Sequence, residues 1–440
     1  VGLALVITMF AFEALAVATA MPAVLADLGR LRLYGWVFSA FMLASLLGTA
    51  VAGPRADRSG PAAPLGAGLA LFAAGLAVCG LAPSMAVVVA GRAVQGLGAG
   101  AVPAVAYVAI GRAYPPGLRP RMFAVLSSAW VVPGLVGPSL AGAVAEHASW
   151  RLVFLGVLPL VGLAAALVLP PLRRLGPASG ADGRVPVAAA LGVAVGGALL
   201  LGGLDARGAA GGVAAAVGLI LGLPALRALL PPGVLRASGP VAAAIAHRSL
   251  LVFPFFGAEA FVPLMLTGVR HRSTTVAGLA LTAATSSWTL GSWVQARLAG
   301  RWSHRRLGLA GAALVPAGVA GVAAVLAPGV PVWVTAVAWA VGGLGMGLGY
   351  AQGSLVVLAS ATEAGAGRAT SALTLAETLA VALATGTAGA IVAAAERAGW
   401  SLTAGILAVD ALMLVVAALG VVAAARLPDQ PAGGAPRSGG

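Results

Sequence analysis

The sequence predicts an all-α integral membrane protein: two six-helix bundles plus an inserted two-helix hairpin, fourteen transmembrane helices in all. Composition, hydrophobic runs and an internal repeat carry this reading. Hydrophobic residues make up 60% of the 440 residues and charged residues only 9%, whereas a soluble domain runs at about 45–50% apolar and about 25% charged. Mean hydropathy is +1.02. Such a composition excludes a cytosolic enzyme, a secreted disulfide scaffold and a disordered regulator. The single cysteine, Cys79, sits in an apolar run, so no intrachain disulfide forms and no thiolate metal site is indicated.

Runs of about 20 apolar residues are long enough to cross ~30 Å of hydrocarbon. They fall at about 3–25, 34–54, 64–82, 86–110, 121–145, 150–170, 186–204, 209–230, 248–268, 275–297, 306–327, 331–358, 368–395 and 401–425. The first run contains Ala18-Thr19-Ala20, which mimics a signal-peptide cleavage site. It is too long for a signal peptide and carries Glu13 at its centre, so it reads as helix 1. The chain begins at Val1, and a start Met with a short tail is expected ahead of it.

All 26 basic residues are Arg. With the N-terminus in the cytoplasm, 18 of them fall inside, Arg184, Arg248 and Arg437 included, 7 fall outside, and Arg92 alone lies within a span. That asymmetry follows the positive-inside rule. It accounts for the net charge of +14 without any nucleic-acid partner. Both termini are expected in the cytoplasm, with the protein in the cell membrane.

The repeat gives the architecture. Val94-Gln95-Gly96-Leu97-Gly98-Ala99-Gly100 in helix 4 recurs as Val341-Gly342-Gly343-Leu344-Gly345-Met346-Gly347 in helix 12. Arg121 matches Arg368, Trp150 matches Trp400, Leu47-Gly48 matches Leu290-Gly291, and Glu13 falls opposite Glu259, at offsets between 243 and 250. The copies share one membrane orientation, so this is a parallel repeat about an axis along the membrane normal. Helices 7 and 8 have no counterpart and form the inserted hairpin. The resulting segments are an N-terminal bundle at 1–172, the hairpin with its cytoplasmic linkers at 173–247, a C-terminal bundle at 248–427, and a disordered tail at 428–440.

Three motifs carry chemistry. Between helices 2 and 3 stands Gly53-Pro54-Arg55-Ala56-Asp57-Arg58-Ser59-Gly60, where glycine allows a tight turn. Helix 4 opens with Arg92-Ala93-Val94-Gln95-Gly96-Leu97-Gly98. Its glycines follow no strand, so they indicate close helix packing rather than a dinucleotide loop. Helix 5 carries Gly134-Leu135-Val136-Gly137-Pro138-Ser139-Leu140-Ala141-Gly142, and Pro138 removes a backbone donor there.

These motifs on six plus six helices resemble the major facilitator superfamily, and the hairpin resembles its fourteen-helix drug:proton antiporter branch. The first motif is similar to the family's cytoplasmic G-x-x-x-D-R-x-G. The resemblance implies that Gly53, Asp57, Arg58 and Gly60 form a gate. Its Asp would cap a helix of the other half and pair with a nearby Arg, for which Arg112 is the candidate. Pro61, Ala62 and Ala63 stand where the family places further basic residues. The second motif matches R-x-x-Q-G-x-G. The third, through Gly134, Gly137, Pro138 and Gly142, resembles the antiporter G-P-x-x-G-G and implies export, with Ala141 replacing one glycine.

Four acids sit deep in spans. At ~1.5 Å per residue, Glu13, Glu259, Glu377 and Asp410 lie roughly 14–18 Å from a membrane face. A charge there costs about 2.5–3.5 kcal/mol and usually lines a pathway or finds a partner. Burial favours the neutral form of a carboxyl group in general, as a proton carrier needs. Glu13 matches the helix 1 acid of the family, although Phe12-Glu13-Ala14-Leu15 departs from the usual L-D-x-T. Arg92 and Glu13 differ in depth by ~9 Å, a gap that a long Arg side chain and a carboxylate nearly span, directly or through water. They are the proton-coupling candidates. Glu259, flanked by Phe253, Phe255, Phe256 and Phe261, suits an organic cation. With Glu377 and Gln95 it is a substrate-binding candidate. Asp410, on the peripheral helix 14, reads as a hydrogen-bonded structural acid.

The remaining conspicuous residues are read as structural. His147, His247, His271 and His304 fall at helix ends or in loops and suggest no metal site. Trp288, Trp293 and Trp339 read as lipid or core packing, and Trp36, Trp150 and Trp400 as interface anchors. The expected function is proton-coupled export of amphipathic or cationic small molecules by alternating access. The alternatives are a lipid or native-metabolite exporter and, from another class, a membrane enzyme or a channel. No catalytic cluster of residues appears, and no cofactor beyond the proton gradient is expected. The expected partners are substrate, protons and the bilayer, with the chain a monomer.

Overall fold

A computed structural model describes residues 2–176, 187–360 and 363–430. The expectations for Arg184, Arg437 and the tail beyond residue 430 lie outside them. Among the described residues every regular element is helical. In order these are α1 (Gly2–Leu28), α2 (Tyr34–Ser59), α3 (Ala62–Gly80), α4 (Met85–Ala113), α5 (Arg119–Ser128), α6 (Val131–His147), α7 (Trp150–Leu155) and α8 (Leu158–Arg173). The hairpin follows as α9 (Val187–Asp205) and α10 (Gly208–Leu229). Then come α11 (Pro240–Glu259), α12 (Val262–Leu264) with a π turn at Met265–Val269, α13 (Thr274–Leu298), α14 (His304–Ala324), α15 (Trp333–Ser360), α16 (Glu363–Arg397) and α17 (Leu402–Ala424).

Among the described residues twelve stretches are long and apolar enough to cross a membrane, against the fourteen expected. Two expected spans fall short for different reasons. The 121–145 run is divided between α5 and α6. The α13 helix is long enough, but it carries eight Ser and Thr residues. Several of these bond back to helix carbonyls, as Ser286 does to Thr282 at 2.7 Å and Ser287 to Ala284 at 2.9 Å, which satisfies those hydroxyls within the helix.

Proline sets the breaks that the hydropathy pattern missed. A proline deprives the carbonyl four residues earlier of its donor. Pro133 does this to Ala129, Pro159 to Leu155 and Pro263 to Glu259, and the helix breaks at 129–130, 156–157 and 260–261. Pro22, Pro54, Pro103, Pro138 and Pro316 sit inside helices that continue.

The linker expected at 231–247 also needs correcting. Gly239, at φ +88°, and Pro240 start α11 there, a favourable pairing because Pro at the first helical position loses no hydrogen bond. The Ala-rich turns that follow are buried. His247 is therefore a fully buried helix residue, not a loop residue. It faces the Gly349 carbonyl at 3.3 Å.

The chain divides into two compact units. The first holds residues 1–226 with 272–278, and the hairpin belongs to it. Within the hairpin Gly196 packs on Gly218 and Gly222, and Gly203 on Gly211 and Ala215. The Arg32–Asp205 ion pair at 3.5 Å ties it to the start of α2. The second unit holds residues 227–271 and 279–440.

Each unit is organised on one glycine-lined helix. In the first, Gly96 meets the Phe41 backbone, Gly98 meets Gly68 and Phe72, and Gly100 meets Ser45 and Gly48. In the second, Gly343 meets Ala284, Gly345 meets Gly311 and Leu314, and Gly347 meets Trp288 and Gly291. The glycines recur at one spacing and most of their partners at another, so the sequence repeat is also a repeat of packing. Small residues there let the backbones touch.

A side chain at these positions has no room. Gly100→Val or Gly347→Val should each cost about 1–3 kcal/mol as overpacking, read as a fall in the Tm of the purified protein. Gly53, with open space around it, is the control: Gly53→Ala should leave Tm unchanged or slightly raised.

Candidate functional site: two buried acid centres

In the first unit α1 carries Glu13 and α4 carries Arg92 and Gln95, all three buried. Arg92 Nη1 donates directly to Glu13 Oε1 in an ion pair and to Gln95 Oε1 at 2.9 Å. Arg92 Nε donates to the Val37 carbonyl at 3.2 Å, and the guanidinium stacks over Phe41 at 4.0 Å. The depth gap read from the helices is thus closed by the arginine side chain itself. Glu13 Oε2 and Gln95 Nε2 have no hydrogen-bond partner among the described residues. The pair therefore keeps one acceptor in reserve. Gln95 belongs to this pair rather than standing apart as a substrate contact.

In the second unit Glu259 is the last residue of α11, at the break caused by Pro263. It has no ion pair among the described residues. The Trp339 Nε1 makes no hydrogen bond of ordinary geometry. In the repeat Trp339 stands where Arg92 stands in the first unit, and Gly342 where Gln95 stands. A guanidinium is replaced by a neutral donor. Trp339 stacks on Phe255 at 4.8 Å, Phe255 meets Trp288 edge-on at 5.7 Å, and Trp288 meets Tyr350 at 5.3 Å. Phe256 joins Trp288 at 6.2 Å. Trp288 and Trp339 are thus members of an aromatic ladder, while Trp293 is exposed.

The far end of that ladder is a second ion pair. Arg248 Nε lies 3.3 Å from Glu377 Oε2, and the Tyr350 hydroxyl donates to Glu377 Oε1 at 2.7 Å. Arg248 also donates to the Tyr350 carbonyl at 2.6 Å and to Ser354 at 3.2 Å, and it stacks over the Tyr350 ring at 3.4 Å. Sequence reasoning sorted Arg248 among the cytoplasmic charges. With α11 starting at Pro240, it lies ~12 Å inside the helix and is buried. The signal that would have found it is the Gly239-Pro240 start. Asp410 is buried too, but its Oδ2 has no partner among the described residues, so it is not the fully hydrogen-bonded acid expected.

The gate motif is helical up to Ser59 and turns only at Gly60, at φ +84°, where the Leu175 carbonyl leaves no room for a Cβ. Gly53 is within α2. Asp57 is half-buried and Arg58 exposed. The expected Asp57–Arg112 pair is absent among the described residues. Arg112 donates to the Gly176 carbonyl instead.

On α6, Pro138 and Gly142 of the antiporter motif lie against Gly278 and Thr274 in the first turn of α13, and Gly137 lies near Phe12. Gly134 sits four residues before Pro138, so its carbonyl loses its helix donor. Glu146, just beyond the motif, accepts from the Thr275 amide at 2.9 Å and hydroxyl at 2.6 Å. These bonds hold its carboxyl below the usual range.

The buried pair in the first unit makes a stability prediction. Removing one partner of a buried pair costs about 3–5 kcal/mol, whereas replacing both by apolar residues is often neutral. Arg92→Leu should therefore lower Tm sharply, and the double change Arg92→Leu with Glu13→Leu should recover most of it. A double variant no more stable than the single would mean that the pair is not the source of the loss.

Comparison with known proteins bears on the same elements. The family model described as Major Facilitator Superfamily matches residues 1–385. A "probable multidrug-efflux transporter" of Mycobacterium tuberculosis is 30% identical over 427 residues, covering 92% of this chain and 88% of its own. Multidrug resistance protein 3 of Bacillus subtilis is 32% identical over 168 residues, 38% of this chain and 33% of its own. Among solved structures, an auto-inhibited peptide transporter of the POT family aligns at a TM-score of 0.68 and 16% identity, covering 98% of each chain. A bacterial homologue of the human lysosomal transporter Spinster aligns at 0.67 and 16% identity, covering 97% of this chain and 94% of that one. The structures support the fold alone; the family model and the full-length relative carry the assignment. The chain belongs to the Major Facilitator Superfamily.

Proposed function

We propose that the protein exports amphipathic or cationic small molecules in exchange for protons, by alternating access, through fourteen transmembrane helices in the cytoplasmic membrane. One observation carries this reading: the two related acids have opposite surroundings. Glu13 is held by a guanidinium, and Glu259 has no cation partner among the described residues. An acid paired with Arg can release and regain a proton as the pair opens and closes. An acid beside aromatic faces, with no resident cation, is suited to attract an organic one. Glu377, with Arg248 and Tyr350, supplies a further polar wall to the same ladder. The multidrug names of the relatives support this substrate class over a lipid or metabolite. Asp57 is the proposed gate residue.

The test is substrate charge. In vesicles with an imposed proton gradient, Glu259→Gln should lose cationic substrates selectively and still move neutral ones. Glu13→Gln should lose all gradient-driven efflux. Equal loss of cationic and neutral compounds in Glu259→Gln would remove it as the cation site.

The proposed orientation puts both termini in the cytoplasm, in keeping with the arginine asymmetry. A C-terminal reporter active only outside the cytoplasm should stay silent. A bright signal would mean an odd number of crossings, with the hairpin or the broken α5–α6 run as the place to look.

A further inference from the structure

Asp410 is the buried acid that the proposed mechanism leaves unused, and its place in the packing is informative. On α17 the residues Asp410, Met413, Ala417 and Gly420 are spaced along one buried face. That face lies on α11: Met413 fills the space beside Gly257, and Gly420 sits against Leu250. Seven residues on one helix match seven on the other, in the antiparallel sense. One further turn brings Asp410 level with Ala260, at the break in α11.

The break has a specific deficit. Pro263 has no N–H, so the Glu259 carbonyl loses its helix donor. The Phe261 amide bonds to Ala258 at 2.8 Å and the Ala260 amide to Phe256 at 3.2 Å, so these two amides serve other carbonyls. A carbonyl that has lost its helix donor in an apolar interior gains from a new one. Asp410 has the converse deficit, since no donor among the described residues reaches its Oδ2. The other titratable groups on helices packed against α17 stand at other levels. His247 and Arg248 of α11 and His304, Arg305 and Arg306 of α14 lie toward its C-terminal end. Arg368 and Glu377 of α16 lie below the level of Asp410, and Glu396 and Arg397 lie above it. Among the described side chains of these helices only Glu259 shares that level. A carboxyl group with no cation beside it is accommodated by keeping its proton, which makes it a donor.

We propose that Asp410 is a positioning residue: its protonated carboxyl donates into the broken turn of α11 at Glu259 and fixes where the Glu259 side chain stands. This rests on the reading of Glu259 as the cation site, and the experiment separates the two. Affinity for tetraphenylphosphonium, a lipophilic cation, is measured on the purified full chain. Hydrogen–deuterium exchange is followed over residues 258–266. Asp410→Leu removes the donor at similar volume. It should weaken tetraphenylphosphonium binding by about tenfold, the loss of one buried hydrogen bond, and speed exchange at the break. Asp410→Asn keeps a donor and should restore both to within about twofold. Adding Asp410→Leu to Glu259→Gln should weaken binding no further, because Asp410 acts through Glu259.

Wild-type affinity and exchange in Asp410→Leu would overturn the proposal, and so would damage in Asp410→Asn equal to that in Asp410→Leu. If Asp410→Leu fails to fold, Asp410→Asn decides alone: loss of either readout overturns the proposal and retention of both supports it. Unchanged affinity in Glu259→Gln by itself would remove the cation reading of Glu259. The exchange measurement, made without any cation, would still decide the role of Asp410.

Discussion

A charge placed in hydrocarbon has no water to fall back on, so each one must find its partners inside its own packing unit. That constraint organises both halves of this chain. Arg92 spends its donors on Glu13, Gln95 and the Val37 carbonyl. Arg248 divides its donors among Glu377, Ser354 and the Tyr350 carbonyl. Arg270 donates to the carbonyls of Val325, Ala327 and Val330 at 2.7–2.9 Å and so holds the connection between α14 and α15. None of these guanidinium groups depends on a single bond. A fork of several donors lets one arginine gather elements that are distant in sequence.

The sites were legible to the extent that a charge stood alone in an apolar run. Glu13 and Arg92 could be paired from sequence because each lies deep in an unmistakable span and their depths come within side-chain reach. The Arg248–Glu377 pair was hidden. Its arginine follows a stretch rich in Ala, Gly and Pro, which reads as a linker until Gly239 and Pro240 are recognised as a helix start. Two of the fourteen expected spans are not matched by a long apolar helix among the described residues. One is divided between α5 and α6 at Pro133, and the other, α13, is rich in hydroxyl side chains. Nine prolines inside continuous helices, Pro170, Pro171, Pro224 and Pro254 among them, show that proline alone does not decide a break. We find no single local feature that separates the two sets.

The repeat was legible in the glycines because backbone contact leaves no freedom for substitution. Gly96, Gly98 and Gly100 pack as Gly343, Gly345 and Gly347 do. Side chains that face into each unit are not bound by that requirement, and there the halves have diverged. Arg92 has become Trp339 and Gln95 has become Gly342. The scaffold can be duplicated while the chemistry differs, because the glycine face and the polar face of the same helix answer to different neighbours.

That separation bears on the proposed exchange of a proton for a cation. Two identical Arg–carboxylate pairs would give two proton sites and leave no acid open to an organic cation. Two unpaired acids would bind cations, but neither would have a resident charge to hand its proton against. One of each supplies both functions. The cost of leaving Glu259 without a cation then falls on its surroundings: an indole in place of the guanidinium, an aromatic ladder beside it, and a broken turn that frees a carbonyl at the same level. A broken helix is tolerated in a membrane only where other groups satisfy the freed backbone. Glu259, without a cation among the described residues, thus stands at the break in α11, and Asp410 on the neighbouring helix supplies what that break lacks.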